Sequence, residues 1–253
     1  MQRDFETTSI DVARGEVTVT QEPVAVEATI ALIINHQHRI NLVASPSNLE
    51  DLAVGYLLSE GIISRTDQVT SIELREDQVL VDLEGGAGDA DLWFEVRSSG
   101  CVGVKMQYED LDIVIDSPLT VPAANLCAMQ EQFREGFDVW SATGGTHVAG
   151  AFTPEGTLLY AAEDVGRHNA FDKMIGMVVR SGADPRNLIG ATTGRLAAGL
   201  VAKAVRAGFP ILISKAAPLD AGITLARRVG LTLCGFVRGM KINVYSHPHR
   251  ILV

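Results

Sequence analysis

From His147 to the C-terminus, short apolar runs alternate with stretches of helical period, and this pattern constrains the fold more than any other feature. Two strands turn at Pro154-Glu155-Gly156. A helix then spans Arg167 to Arg180, a strand Leu188 to Thr192, a helix Leu196 to Ala207, a strand Ile211 to Ser214 and a helix Leu219 to Val229, before final strands near Leu231 and Ile242. Strands alternating with helices predict an α/β domain whose mainly parallel sheet is covered on both faces. Ligands of such sheets lie beyond the carboxyl ends of the strands. Three polar segments fall there: Thr192-Thr193-Gly194-Arg195, Ser214-Lys215-Ala216-Ala217-Pro218 and Phe236-Val237-Arg238-Gly239-Met240-Lys241. One pocket collecting all three is the expectation.

The first part of the chain reads differently, as strands with one helix. Val24 to Asn35 and Arg39 to Ala44 predict a hairpin around Asn35-His36-Gln37, and Val69 to Leu74 with Gln78 to Leu83 predict a second. Between them Ser47-x-x-Glu50 reads as a capping box. Leu49, Leu52, Ala53, Tyr56 and Leu57 follow at one-face spacing, and Gly61 reads as the stop. Gly85-Gly86-Ala87-Gly88-Asp89 has neither the lysine and hydroxyl of a phosphate loop nor a dinucleotide fingerprint, so it reads as a turn. The style changes between Asp116 and Pro122, where Pro122 suits a first helical position and Leu126, Met129 and Phe133 line one face before Gly136. Residues 1–117 are therefore read as a smaller β-rich domain with one helix, and 118–253 as the α/β domain.

A chain of 253 residues with 47% hydrophobic content can bury a sizeable core without staples. Its three cysteines, Cys101, Cys127 and Cys234, are too few and too scattered for a disulfide framework. No apolar run reaches the roughly 18 residues of a membrane span, nor does the start resemble a signal peptide, and the reading is cytoplasmic with no membrane partner. The formal charge of -10 is segregated: from Arg186 onward ten Lys or Arg face one acid, Asp220, giving +9, while residues 1–185 carry -19. The bland reading of these bases is solvated helix faces or intramolecular pairing. As a segment, with several at glycine-containing turns, they favour a compact anionic ligand. No arginine-rich run or interleaved aromatic platform appears, which argues against nucleic acid.

Two motifs stand out: Thr143-Gly144-Gly145-Thr146-His147, and Glu163-Asp164-Val165-Gly166-Arg167-His168-Asn169-Ala170-Phe171-Asp172-Lys173. Each sits where a turn enters a strand or helix, so side chains and free amides can converge on a ligand. His147 and His168 could each donate to a phosphate or merely cap and pack. Glu163 and Asp164 read as fixing the helix start and orienting Arg167 rather than as acid and base. The pair of motifs, with Ser214-x-x-Ala217-Pro218, Leu231-Thr232-Leu233-x-Gly235-Phe236 and Val244-Tyr245-x-His247-Pro248, resembles the formate dehydrogenase accessory sulfurtransferase family (FdhD/NarQ) over most of the chain.

The resemblance implies a cytidine-deaminase-like three-layer fold for the second domain and binding of the bis(molybdopterin guanine dinucleotide) molybdenum cofactor as a client. It further implies sulfur passage from a cysteine desulfurase to that cofactor before formate dehydrogenase receives it. The family's cofactor-binding segment maps onto Phe236, Val237, Arg238, Gly239, Met240 and Lys241. The chemistry agrees, since Arg238 and Lys241 can pair with phosphates and Gly239 lets backbone amides approach them. The bland reading of this segment is a hairpin turn.

Cys101 lies in the small-residue segment Ser98-Ser99-Gly100-Cys101-Val102-Gly103-Val104-Lys105, after the apolar strand Leu92 to Val96 and between Arg97 and Lys105, whose charges would favour a thiolate. It matches the first cysteine of the family's Cys-x-x-Cys, the catalytic position that carries a persulfide. The second cysteine is absent here. Cys127 and Cys234 fall in apolar patterns and read as buried small hydrophobes. A rival carrier role, delivering the cofactor without moving sulfur, draws its support from the missing cysteine. A zinc deaminase would need a His-x-Glu or Cys-x-Glu pair and a Pro-Cys-x-x-Cys, and neither occurs; no protein-bound metal is expected. A ligand with two dinucleotide arms suits a homodimer, though no spacing requires one.

Overall fold

The structure, a computed structural model, describes residues 1–84, 96–97, 111–134 and 137–253. It opens with a hairpin that no sequence signal singled out. β1 (Gln2–Asp11) pairs antiparallel with β2 (Glu16–Ala25) along its whole length. Asp11 closes the turn, its Oδ1 accepting from the amides of Ala13 and Arg14 at 2.9 and 3.0 Å. The next hairpin is the expected one: β3 (Ala28–Ile34) pairs with β4 (His38–Ala44), and Asn35 and His36 both take the left-handed conformation that such tight turns need. After the helix α1 (Leu49–Ser59), β5 (Val69–Arg75), β6 (Gln78–Leu83) and β7 (Val96–Arg97) complete a five-stranded sheet of order β5-β6-β3-β4-β7.

The capping box does not form. The N-cap is Asn48, in the left-handed conformation and without a side-chain cap. Ser47 and Glu50 are drawn to other partners, Ser47 Oγ accepting from Lys173 Nζ at 3.4 Å and Glu50 pairing with Arg180. Both partners lie in α4 (Arg167–Arg180), because α1 and α4 cross in backbone contact. A Cβ added to Gly55 would fall 1.8 Å from the Asp172 carbonyl oxygen, and one added to Gly176 would fall 2.0 Å from that of Asp51. Only glycine at both positions permits this approach.

Past residue 117, β8 (Val121–Pro122) leads into α2 (Ala123–Glu131), with Pro122 at the N-cap rather than the first helical position. A proline there lets its ψ of 135° turn the chain out of β8, which pairs with β15 (Ile251–Leu252) at the C-terminus. α3 (Asp138–Thr143) precedes β9 (His147–Phe152) and β10 (Leu158–Asp164). After α4 come β11 (Ile189–Thr192), α5 (Ala198–Ala207), β12 (Ile211–Ser214), α6 (Asp220–Val229), β13 (Thr232–Arg238) and β14 (Lys241–Ser246). The element order matches the expectation closely, and α4 and β12 match it to the residue.

The second sheet has the order β10-β9-β11-β12-β13-β14. It is mixed: β10, β11, β12 and β13 run in one direction, but β9 is inserted antiparallel between β10 and β11 and β14 is antiparallel at the far edge, so only the β11–β12 and β12–β13 pairings are parallel. Three connections carry a crossover helix, α4 from β10 to β11 across β9, α5 from β11 to β12 and α6 from β12 to β13, and each returns the chain in the same direction. Alternate residues of each strand serve opposite faces. Ala149, Leu212 and Leu233 pack towards α4, α5 and α6, while Val148, Ile211, Ile213 and Cys234 pack towards Leu126, Cys127 and Met129 of α2. The result is three layers, helices on both faces of one sheet. The first of these cores also contains Ile30, Leu32, Leu52, Leu57, Val79 and Val81, so both parts of the chain share it.

Candidate functional site

The carboxyl ends of β11, β12 and β13 open into a cleft of about 520 Å³. Thr193 follows β11, Lys215 and Ala216 follow β12, and Val237, Arg238 and Gly239 end β13, so all three polar segments meet there. Gln130 and Glu131 of α2 and Trp140 of α3 complete the wall. The volume lies in the range of about 300–1,000 Å³ typical of small-molecule sites.

Local hydrogen bonds fix each loop. Thr192 Oγ1 accepts from Gly194 N at 3.1 Å, Ser214 Oγ donates to the Gly194 carbonyl at 2.7 Å and accepts from Ala216 N at 3.0 Å, so the first two loops brace each other. β13 bulges between Gly235 and Arg238, where Phe236 adopts φ 52 and its amide donates to the Ala216 carbonyl at 3.1 Å. A non-glycine residue in the left-handed region costs on the order of 1–3 kcal/mol, and such strain collects at functional sites. The bulge buries Val237 in the cleft floor and sends Arg238 across the cleft, where its Nε donates to the Lys215 carbonyl at 2.8 Å. The Lys215 ammonium stands 4.3 Å from the Trp140 ring centroid, a cation-π contact on the opposite wall. Gly239 is left-handed, and a Cβ added there would meet nothing within 4 Å, so its backbone faces open space.

Of the six residues assigned from the family segment, Val237, Arg238 and Gly239 line the cleft. Phe236 lies against Arg238, whose guanidinium carbon is 5.7 Å from the ring centroid; Met240 and Lys241 project to solvent beyond the wall. Cys101, its neighbour Lys105, the Gly85 to Asp89 turn and Gly136 lie outside the described residues. Gln130, Glu131 and Trp140 were not foreseen as site residues. A signal existed for Gln130, which is four residues from Leu126 and so occupies a core position of α2 with a polar side chain.

The long motif serves a different purpose from the cleft. Asp164 and Lys173, both fully buried, form an ion pair at 2.7 Å. Lys173 Nζ also donates to the Ser45 carbonyl at 2.9 Å, and Asp164 Oδ2 accepts from Ser45 N at 2.9 Å. Asp164 Oδ1 takes Gly166 N at 2.8 Å, which fixes the start of α4 as expected. Glu163 instead accepts from Trp140 N at 2.7 Å and from Thr146 Oγ1 at 3.3 Å, holding α3 and the Thr-Gly-Gly-Thr-His turn. Asp172, the residue before Lys173 on α4, and Glu60 at the end of α1 both pair with buried Lys203 at 2.8 and 2.7 Å. Burial pushes the Asp172 carboxyl up to about 6, against the pull of Lys203. Burial opposes the charge on Lys203, yet Asp172 and Glu60 outweigh it and raise its pKa.

His147 Nδ1 lies 3.2 Å from Thr193 Oγ1, which joins the first motif to the cleft wall. Burial, then the charges of Arg167 and Lys215, hold its pKa below the ordinary range. His168 is buried, and burial followed by Lys203 and Arg167 pushes it down to about 3, so it stays neutral. Packing describes it better than phosphate donation. The basic segment is likewise divided. Lys203 serves the core; Arg250 donates to the carbonyls of Ile115, Ser117 and Gly230; Arg206 donates to the Ser59 carbonyl; Lys215 and Arg238 line the cleft. Cys127 and Cys234 are buried as expected, and burial raises both thiols, Cys234 to about 12. Among the described residues, no three His, Cys, Asp or Glu side chains converge as metal ligands, and no helix is long and apolar enough to cross a membrane.

Comparison with known proteins gives a consistent picture. Residues 25–252 match the model of the FdhD/NarQ family. The chain is 37% identical to the sulfur carrier protein FdhD of Methanothermobacter thermautotrophicus, over 100% of this chain and 99% of that protein. It is 35% identical to the protein of the same name from Bordetella bronchiseptica, over 90% and 87% of the two chains. A crystal structure from Desulfotalea psychrophila, described as a formate dehydrogenase accessory protein, superposes with a TM-score of 0.84 at 27% identity and covers 99% of both chains. With its sequence matched nearly end to end and its fold shared at that level, the chain belongs to the FdhD/NarQ family.

Proposed function

We propose that this protein carries sulfur from a cysteine desulfurase to the bis(molybdopterin guanine dinucleotide) molybdenum cofactor, and that formate dehydrogenase depends on the product. The observation that carries the binding half is the cleft. It joins two cations, Lys215 and Arg238, an indole wall, Trp140, and open backbone at Gly239. Phosphate suits the cations and a flat base suits the indole, and the volume suits one nucleotide arm of the client. Phe236, Met240 and Lys241 are proposed to contact the part of the client that extends beyond the cleft.

The sulfur half rests on Cys101. The other two thiols are buried and held protonated, which unsuits them to attack. The Cys101 thiolate would attack the outer sulfur of the desulfurase persulfide, forming a new S–S bond as the desulfurase thiolate leaves. Delivery of that sulfur as sulfide takes two electrons. A second thiol in the loop would supply them by forming a disulfide; Val102-Gly103-Val104-Lys105 has none, so an external thiol does so here. We assign the work to the cytoplasm, with the β-rich unit 1–117 bearing Cys101 and a cytidine-deaminase-like unit 118–253 bearing the cleft.

The missing cysteine favours a second reading, a cofactor chaperone that moves no sulfur. Cys101→Ala separates the two in cells whose formate dehydrogenase depends on this protein. Sulfur transfer predicts loss of formate dehydrogenase activity while the purified variant still binds cofactor. Retained activity would establish the chaperone.

A further inference from the structure

The hairpin of β1 and β2 stands clear of the body. Its strands of 10 residues pair along their whole length and reach about 30 Å at the usual strand rise. It is rooted at its open end: the Met1 carbonyl accepts from Val26 N at 2.8 Å, a Cβ added to Gly145 would lie 3.0 Å from that of Ala25, and β2 touches α3. Near the root both faces mix charges with apolar residues, but at the tip they separate. Ile10 pairs with Val17 and Thr8 with Val19, and alternate residues share a face, so Ile10, Val17 and Val19 form one aliphatic patch, 63, 65 and 64% exposed. Val12, in the adjoining turn, is 89% exposed. A two-stranded hairpin by itself is marginal in water, and an aliphatic patch held out on such an arm marks an interaction site.

The root of the arm lies beside the strand that leads to Cys101. β3 follows β2 directly and pairs at Ala28 with Ala44, the end of β4. β7 runs parallel to β4 on its other side, with Arg97 opposite Leu42, so the chain leaves β7 towards that same end of the sheet. Two strand spacings, about 10 Å, separate β3 from β7. The four residues from Arg97 to Cys101 cover at most about 14 Å. An arm about 30 Å long, rooted there, reaches whatever protein meets Cys101.

Resting on the proposed sulfur-carrying role of Cys101, we infer that the arm of β1 and β2 is the docking element for the protein that brings persulfide sulfur to it. The arm carries five acids, Asp4, Glu6, Asp11, Glu16 and Glu22, against Arg3 and Arg14, a net charge of -3. The complementary surface is therefore an apolar patch with a basic rim on the sulfur donor, near its persulfide. The exchange itself is unchanged: the Cys101 thiolate takes the outer sulfur and the donor's thiolate leaves. The arm adds proximity, holding the donor while the exchange occurs.

The test compares two sulfur donors for the full chain: a purified cysteine desulfurase with cysteine, which must dock, and glutathione persulfide, which need not. Persulfide formation is followed by intact-protein mass spectrometry as a function of acceptor concentration. The triple variant Ile10→Thr, Val17→Thr, Val19→Thr is expected to need about 10-fold or more acceptor for half-maximal loading by the desulfurase, with the maximal rate unchanged. Its loading by glutathione persulfide should equal that of wild type, which also shows that the variant is folded; threonine keeps the strand preference at these exposed positions. Glu6→Lys with Glu16→Lys should weaken desulfurase loading in the same way, most strongly at low salt. Equal desulfurase loading of wild type and the threonine variant, or an equal loss with both donors, would overturn the assignment. So would a difference in oligomeric state between the two by sedimentation, which would make the arm a clasp between copies of this chain. Wild type that gains sulfur from neither donor would overturn the sulfur-carrying role itself, and the assignment with it.

Discussion

Replacing Lys173 by methionine keeps the shape of a long side chain and removes its charge from a fully buried pair. Asp164 is then left with Ser45 N, Gly166 N and Asn169 Nδ2 as donors but with no countercharge, and the Ser45 carbonyl loses its 2.9 Å donor. Breaking one side of such a pair costs about 3–5 kcal/mol. For a chain of this length that corresponds to a melting temperature lower by about 6–20 °C. The double variant Asp164→Asn with Lys173→Met buries no charge, so it should melt above Lys173→Met alone although it carries one more substitution. Differential scanning calorimetry at pH 7 on wild type, both single variants and the double completes the cycle. Additive losses, or a Lys173→Met melting temperature within about 2 °C of wild type, would refute the view that this pair locks the start of α4 to Ser45.

Two further perturbations probe the histidine and the cleft. His168 titrates near 6.5 when unfolded and near 3 when folded, so the unfolded chain binds the extra proton between those values and stability must fall as pH falls through them. The slope is about 1.4 kcal/mol per pH unit. Asp172, raised to about 6, acts in the opposite sense between pH 6 and its unfolded value of 3.8. Comparison of wild type with His168→Gln by urea unfolding isolates the histidine, and the variant should gain on wild type as pH drops below 6.5; a constant difference would remove His168 from the account. Charge reversal at Arg238 and Lys241 together should weaken GDP binding by 10-fold or more, since a hydrogen bond to a charged group is worth about 1.5–3 kcal/mol; unchanged affinity in calorimetry would take both residues out of the site.

The alternation of β11, α5, β12, α6 and β13 was legible because each element announces itself locally, by apolar runs, helical period and glycine stops. Strand order was not. β10, β9 and β14 join by short turns at Gly156 and Gly239, and local sequence does not reveal that such hairpins complete the sheet around its parallel centre. Nor did the first hairpin declare itself, because β1 and β2 are exposed on both faces and lack the alternation that burial imposes. The cleft loops were found because strand ends are where α/β sheets bind ligands. Trp140, Glu131 and Gln130 were missed because α2 and α3 reach the cleft by tertiary packing. The longest motif was misleading as to purpose: Asp164 and Lys173 pair with each other and hold Ser45, Asp172 pairs with Lys203 and holds Ser59, and a dense run of polar residues looks alike whether it serves a ligand or a core.

Sulfur transfer stands or falls on the Cys101 thiol. Intact-protein mass spectrometry after incubation with cysteine and an active cysteine desulfurase tests it most directly. A gain of one sulfur, removed by reductant, is expected in wild type and none in Cys101→Ala. No gain in wild type, with the same desulfurase loading another acceptor, would contradict it and leave the protein a carrier of the cofactor alone.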